Sequence, residues 1–278
     1  MRMQLFGALS VIILLIAAVL LFTTERSHVP STEVSSPFVY LFNKSGFLEE
    51  TGEAANTKSP YWWLNSGGRL EISTSTGSTM LGDAPSNDRW RKAYAVSNPI
   101  DTDQGLHPQN LFRLVTRSMW GNARQEVELY VVADNLSQSP NRNASNGLYL
   151  MSRYIDGDTL YYAGLRVDGM ATIKKKYRGI YYTLADAAVF RGTYDKDKSP
   201  SLLPHNAWIS LRVDTYHING DIIIKLFMKR EPDGKWKELV ETTDHGQYGT
   251  PPIEESGRGG IRTDFMDVEF KSYRMENL

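Results

Sequence analysis

Short runs of alternating apolar and polar residues, closed by tight-turn dipeptides, fill this chain from Pro37 onward. They include Leu111 to Thr116, Glu126 to Val132, Leu148 to Ile155, Leu160 to Val167, Trp208 to Val213, Asp221 to Met228 and Phe265 to Tyr273. β-Branched and aromatic residues recurring with a period near two predict strands rather than helices. Asp156-Gly157-Asp158, Asp168-Gly169, Asn219-Gly220 and Asp233-Gly234 sit between such runs. Asp-Gly and Asn-Gly tolerate the positive φ that tight hairpins need, so residues 148 to 185 read as an antiparallel meander. Tyr181 to Phe190 reads as room for a short helical turn, and no long segment of helical period follows residue 23. Many strands at this spacing, without a repeated blade, predict an all-β, two-sheet antiparallel jelly-roll sandwich over residues 37 to 278.

Ahead of that domain, Leu5 to Phe22 carries no charge. An apolar stretch of about 18 residues or more is long enough to span hydrocarbon. Arg2 precedes it, and positive charge favours the cytoplasmic side. The reading is a cytoplasmic stub at residues 1 to 4, a transmembrane signal anchor at 5 to 23 and a polar linker at 24 to 36. The competing reading is a cleaved signal peptide, whose apolar core is usually about 7 to 15 residues before a small-x-small site. Phe22-Thr23-Thr24-Glu25 lacks such a site. The expectation is a single-pass membrane protein with its C-terminal domain extracytoplasmic.

There is no cysteine in the chain. That excludes a lipid-attachment cysteine, a disulfide scaffold, a thiolate metal site and a cysteine nucleophile. The net charge is −1, and removing Arg2 leaves −2 for the rest. A nearly balanced surface argues against non-specific nucleic-acid binding, which needs a basic one. The fifteen Tyr and six Trp suit cores and sugar-stacking surfaces alike, since each joins an apolar body to a polar tip.

Three segments carry a resemblance to the concanavalin A-like lectin/glucanase superfamily. Trp62-Trp63-Leu64-Asn65-Ser66-Gly67-Gly68-Arg69-Leu70 resembles an early strand of laminin-G-like jelly rolls. Asn146-Gly147-Leu148-Tyr149 with Tyr162-Ala163-Gly164-Leu165-Arg166 resembles the middle of the concave sheet, and Gly260 to Phe270 resembles the closing strand. The resemblance spans nearly all of residues 37 to 278. It implies a jelly roll shared by lectins, carbohydrate-binding modules, glycoside hydrolases and polysaccharide lyases, and fold does not choose among them.

Retaining glucanases need two carboxylates about 5 Å apart. Glu126 and Glu128 share a strand face, as do Asp267 and Glu269 by alternation. The first pair has Tyr130 where a third carboxylate would stand, which favours a solvated strand. The second reads as solvent-facing or calcium-linked. Lyases of this fold neutralise a uronate carboxylate and use Tyr or His to remove the C5 proton. Lys174 to Tyr182 distantly resembles their strand, with Lys174, Lys176, Arg178 and Tyr182 expected on one face and Lys175, Tyr177 and Tyr181 on the other. A lyase would then use Tyr182 or Tyr177 with Lys176 and Arg166.

The first expectation is a glycan-binding domain whose ligand meets Arg117, Trp120, Arg153, Tyr162, Arg166, Lys176 and Tyr182. The alternatives are a polysaccharide-degrading enzyme, lyase before hydrolase, and a structural or adhesive envelope domain. No cofactor is called for beyond structural calcium, for which Asp101 and Asp103 before Gly105 are the candidate ligands. Residue 112 is Phe where an EF-hand loop has its bidentate Glu.

Overall fold

The computed structural model describes residues 36–230 and 234–278. The anchor, the linker through residue 35 and Asp233 lie outside the described residues. No helix among the described residues is long and apolar enough to cross a membrane. The first half of the chain runs β1 (Phe38–Tyr40), β2 (Gly46–Glu49), β3 (Trp62–Ser66), β4 (Arg69–Ser73), β5 (Thr76–Ser78), α1 (Arg89–Ser97), β6 (Leu111–Thr116), β7 (Ala123–Asp134) and β8 (Gly147–Asp156). The second runs β9 (Thr159–Arg166), β10 (Met170–Tyr177), β11 (Ile180–Ala188), β12 (Trp208–Ile218), β13 (Asp221–Lys229), β14 (Lys237–Asp244), β15 (Arg258–Asp264) and β16 (Met266–Asn277).

These strands make an all-β sandwich of two antiparallel sheets. One has nine strands, β14-β13-β12-β7-β16-β5-β4-β2 with β1 paired to β16, and the other has seven, β11-β10-β9-β8-β15-β6-β3. Burial alternates strictly along β7 and β13, so one face of the nine-stranded sheet meets the core and the other meets water. Leu129, Leu211, Ile224 and Phe270 from that sheet pack with Leu114, Leu150, Leu165 and Ile261 from the other. The seven-stranded sheet departs from alternation. β8, β9 and β10 are buried along most of their length on both faces. A second cluster of Val115, Tyr149, Met151, Tyr154, Leu160 and Tyr162 covers the outer face.

The meander of residues 148 to 185 forms as β8 to β11, paired in sequence order. Three local expectations change. The segment 181 to 190 is strand β11 as far as Ala188, because pairing with β10 supplies its backbone hydrogen bonds. A nine-residue helix, α1, interrupts the strands, and the Asp88 carboxylate caps it by accepting from Trp90 N. The glycine-containing motif at Trp62 to Leu70 is a crossover, since β3 and β4 belong to different sheets. Gly67 and Gly68 make it with φ of 106° and 78°, and a Cβ on Gly67 would lie 2.8 Å from the Phe112 ring. Gly260 to Phe270 also crosses, leaving β15 at Asp264 and entering β16 at Met266 through Phe265 at φ 55°.

A charged pair is buried between the sheets. Lys175 is fully buried, with Nζ 2.7 Å from Asp244 Oδ2 of β14, itself fully buried. Its ammonium also donates to the carbonyls of Thr250 at 3.2 Å and Pro251 at 2.7 Å. Tyr161 O–H donates to the same Asp244 oxygen at 2.5 Å and accepts from Ile253 N at 2.9 Å. The ammonium, the carboxylate and the Tyr161 hydroxyl each have partners, which is what makes a buried ion pair tolerable. Its neighbour Lys176 holds Asp158 at 2.7 Å, with the carboxylate 66 % exposed. Lys175→Met should therefore lower stability by about 3–5 kcal/mol by stranding Asp244. Lys176→Met should leave the urea midpoint almost unmoved, and equilibrium unfolding of both variants checks the contrast.

Candidate functional site

Because cross-strand partners share a face, the outer surface of the seven-stranded sheet can be read as rows. One row runs Lys174, Tyr162, Met151, Gly260, Val115 and Trp63 across β10, β9, β8, β15, β6 and β3. The next runs Thr172, Gly164, Tyr149, Arg262 and Arg113. Glycine is required within it. A Cβ on Gly164 would lie 1.9 Å from the Leu148 carbonyl oxygen and 2.8 Å from Tyr149 Cδ1. The bare backbone there lets the Tyr149 ring lie against the sheet.

Above these rows opens a cleft of about 490 Å3, lined on the sheet by Tyr149, Tyr162, Lys174, Tyr181, Arg262 and Asp264. Its volume falls in the range of about 300–1,000 Å3 typical of small-ligand sites. Tyr162 sits edge-on to Tyr149 at 5.2 Å and to Tyr181 at 6.2 Å. The Arg262 guanidinium lies 5.2 Å from the Tyr162 ring centre and donates through Nε to Asp264 Oδ1 at 3.0 Å. Asp264 Oδ2 is buried and has no hydrogen-bond partner. Burial raises the Tyr149 and Tyr162 hydroxyls well above their ordinary range, so both stay protonated at neutral pH. Burial, then the charges of Arg166 and Arg262, pulls the Lys174 ammonium down.

The facing wall is the loop carrying Asn141, Asn143, Ser145 and Asn146. Asn143 Oδ1 accepts from Ser145 N at 2.8 Å and Asn146 Oδ1 accepts from Asn143 N at 2.6 Å, which folds the loop on itself. Tyr149 O–H donates to the Ser145 carbonyl and ties the wall to the floor. Asp101 also lines the cleft and braces the wall, accepting at Oδ1 from Ser139 Oγ at 2.5 Å and Asn141 Nδ2 at 3.0 Å. Asp103 accepts from Ser137 Oγ at 2.6 Å through one oxygen and lies 2.8 Å from His107 Nδ1 through the other.

The oxygens of Asp101 and Asp103, the candidate calcium ligands, are turned to separate donors of the protein. Among the described residues no group of three or more His, Cys, Asp or Glu is placed to hold a metal ion. In the structure these two residues staple the loop.

The residues singled out from sequence scatter. Tyr162 lines the cleft. Arg166 borders it, ion-paired to Asp168 at 2.5 Å and Asp186 at 3.5 Å and donating to the Ala144 carbonyl at 3.3 Å. Lys176 points past the cleft to Asp158 and the Gly157 carbonyl. Tyr182 is corrected to the other face, because the chain reverses at Arg178-Gly179 and pairs Tyr182 with Lys175. Its ring lies 5.7 Å from Tyr248. Tyr177 packs against the margin of the core. Trp120 is a core residue, its indole N–H donating to Ser118 Oγ at 2.9 Å. Arg117 donates to the Ser59 carbonyl at 3.3 Å, and Arg153 is buried, donating to the carbonyls of Glu254 and Glu255. The cleft instead gathers Tyr149, Lys174, Arg262 and Asp264. The alternate spacing of Arg262 and Asp264 and the asparagine-rich stretch 141 to 146 were the signals for them.

The carboxylate pairs part company as well. Glu126 and Glu128 share the water-facing side of the nine-stranded sheet, across the sandwich from the cleft, and Glu128 meets Lys271 at 3.5 Å. Asp267 is not solvent-facing. It is buried and accepts from Gly82 N at 2.6 Å and from Gln109 Nε2 and Asn135 Nδ2 at 2.9 Å, with a bulge separating it from Val268.

No protein-family model matches the sequence. No curated relative matches it either. Solved structures are similar in overall fold. They include the carbohydrate-binding module CBM66 from Bacillus subtilis, 12 % identical with a TM-score of 0.41, over 60 % of this chain and 82 % of the module. The GH43 BlXynB protein from Bacillus licheniformis is 11 % identical with a TM-score of 0.48, and the match spans 86 % of this chain but 39 % of that one. Winged bean acidic lectin, complexed with methyl-α-D-galactose, is 11 % identical with a TM-score of 0.46 over 86 % of this chain and 97 % of the lectin.

If Asp101 is the brace of the wall, Asp101→Ala should free it. Amide hydrogen exchange across residues 139 to 146 should quicken several-fold, while β12 and β13 on the far sheet keep their protection.

Proposed function

We propose that this protein binds a carbohydrate in the cleft on the outer face of its seven-stranded sheet. The observation that carries the reading is the composition of that cleft. Three tyrosines offer ring faces and edges, while the Asn141–Asn146 wall offers fixed hydrogen-bonding groups. Sugars ask for this mixture, because a pyranose has apolar C–H faces and a rim of hydroxyls that need donors and acceptors. Binding is favoured over elimination by the same geometry. A lyase needs a tyrosine able to give up its proton, and burial holds the Tyr149 and Tyr162 hydroxyls protonated. The candidate bases named from the sequence lie elsewhere: Tyr182 sits on the opposite face of β11 from the cleft and Tyr177 packs against the core margin.

Glycan-array screening followed by calorimetry tests the reading. Tyr162→Ala and Asn146→Ala should each weaken the best ligand at least tenfold, with unfolding midpoints used to confirm folded variants. A flat array, or full affinity in both variants, refutes the site.

The domain is proposed to act outside the cytoplasm, held by residues 5 to 23 as a signal anchor. The support is the charge-free run from Leu5 to Phe22 behind Arg2. The full-length chain should stay in the membrane pellet through alkaline carbonate extraction, and protease added outside intact cells should digest the domain. Release into the soluble fraction would instead indicate cleavage.

A further inference from the structure

The cations on and around the outer face of the meander are nearly all spoken for. Lys176 holds Asp158, Arg166 holds Asp168 and Asp186, and Arg262 holds Asp264. On the inner face Lys175 holds Asp244. Lys174 is the buried exception. It is 9 % exposed, and its ammonium makes no hydrogen bond and no ion pair among the described residues. A charged group taken this far out of water without a partner is costly, and proteins seldom keep one unless something else answers it.

What surrounds Lys174 says what the answering group is. The residue lines the cleft beside Tyr162, its direct cross-strand partner on β9. The Tyr162 hydroxyl likewise makes no hydrogen bond among the described residues, and stays a protonated donor. Two donors, one of them cationic, therefore stand side by side on adjacent strands with no acceptor supplied by the protein. Arg262 holds Asp264 through Oδ1, so that carboxylate is already engaged by the protein.

Resting on the carbohydrate-binding reading above, we infer that the cleft selects an acidic sugar. A carboxylate on the sugar is bound by Lys174 and the Tyr162 hydroxyl. The two unpartnered donors of the cleft are then satisfied together by one uronate-type residue. A neutral sugar leaves the buried ammonium unpaired. Lys174 is thus the specificity residue, and the wall and the tyrosines serve any sugar.

The test compares tetrasaccharides of galacturonate, glucuronate and mannuronate with their carboxyl-reduced counterparts, which keep the ring and lose the charge. The full domain should bind at least one acidic tetramer tenfold or more tighter than its reduced form, and the preference should shrink as salt rises. Lys174→Met should abolish that preference while residual binding to the reduced sugar persists, and Lys174→Arg should restore part of it. Equal affinity for acidic and reduced sugars, or a preference untouched by Lys174→Met, overturns the inference and leaves sugar binding standing. No binding to any acidic, reduced or arrayed neutral glycan overturns both.

Discussion

The arrangement of the cleft depends on a lysine that never reaches it. β10 contains three consecutive lysines, and Lys175 faces the core while its two neighbours face the other way. Lys175 faces inward because Asp244, the carbonyls of Thr250 and Pro251, and Tyr161 form a complete set of partners for it there. A slip of one residue would turn Lys174 and Lys176 into the core with no such partners and expel Ile173 from it. The buried pair is a register pin. By holding Lys175 in, it holds Lys174 out, beside Tyr162 and over the outer face.

The same device recurs in the cleft wall. A loop of Asn, Ser and Pro has little apolar surface to bury, so packing alone cannot place it. Asp101, Asp103 and Asp267 place it instead, each accepting from side chains in or beside the stretch from Asn135 to Asn141. Floor and wall then differ in kind. The floor is rigid because it is sheet, with tyrosine rings packed over Gly164. The wall is rigid because carboxylates hold it at several points. A ligand thus meets a preorganised surface on both sides, which spares the entropy of ordering it on binding.

Much of the architecture was legible along the chain because strand signals are local. Period-two runs and Asp-Gly or Asn-Gly turns report on residues that are neighbours in sequence, and the meander from β8 to β11 follows its turns. Local signals misled where neighbours in space override them. Tyr181 to Ala188 has a helix-tolerant run of small residues, yet β10 offers it a ladder of hydrogen bonds. Tyr182 was assigned to a face by counting along an unbroken strand, and the reversal at Arg178-Gly179 turned it over. Trp120 and Arg153 resemble binding residues by type alone, and packing used both internally.

By itself the sequence determined the all-β class, the strand order of the meander, the apolar run ahead of the domain and the exclusion of cysteine chemistry. Each is a property of residue type and short-range spacing. Only the tertiary structure decided which charges are spent and which are free. Lys174, Lys175 and Lys176 are indistinguishable as letters. Lys175 pairs with Asp244 on β14 and Lys176 with Asp158 on the turn after β8, while Lys174 makes no ion pair among the described residues, because ion pairing follows distance in space and not position in the chain.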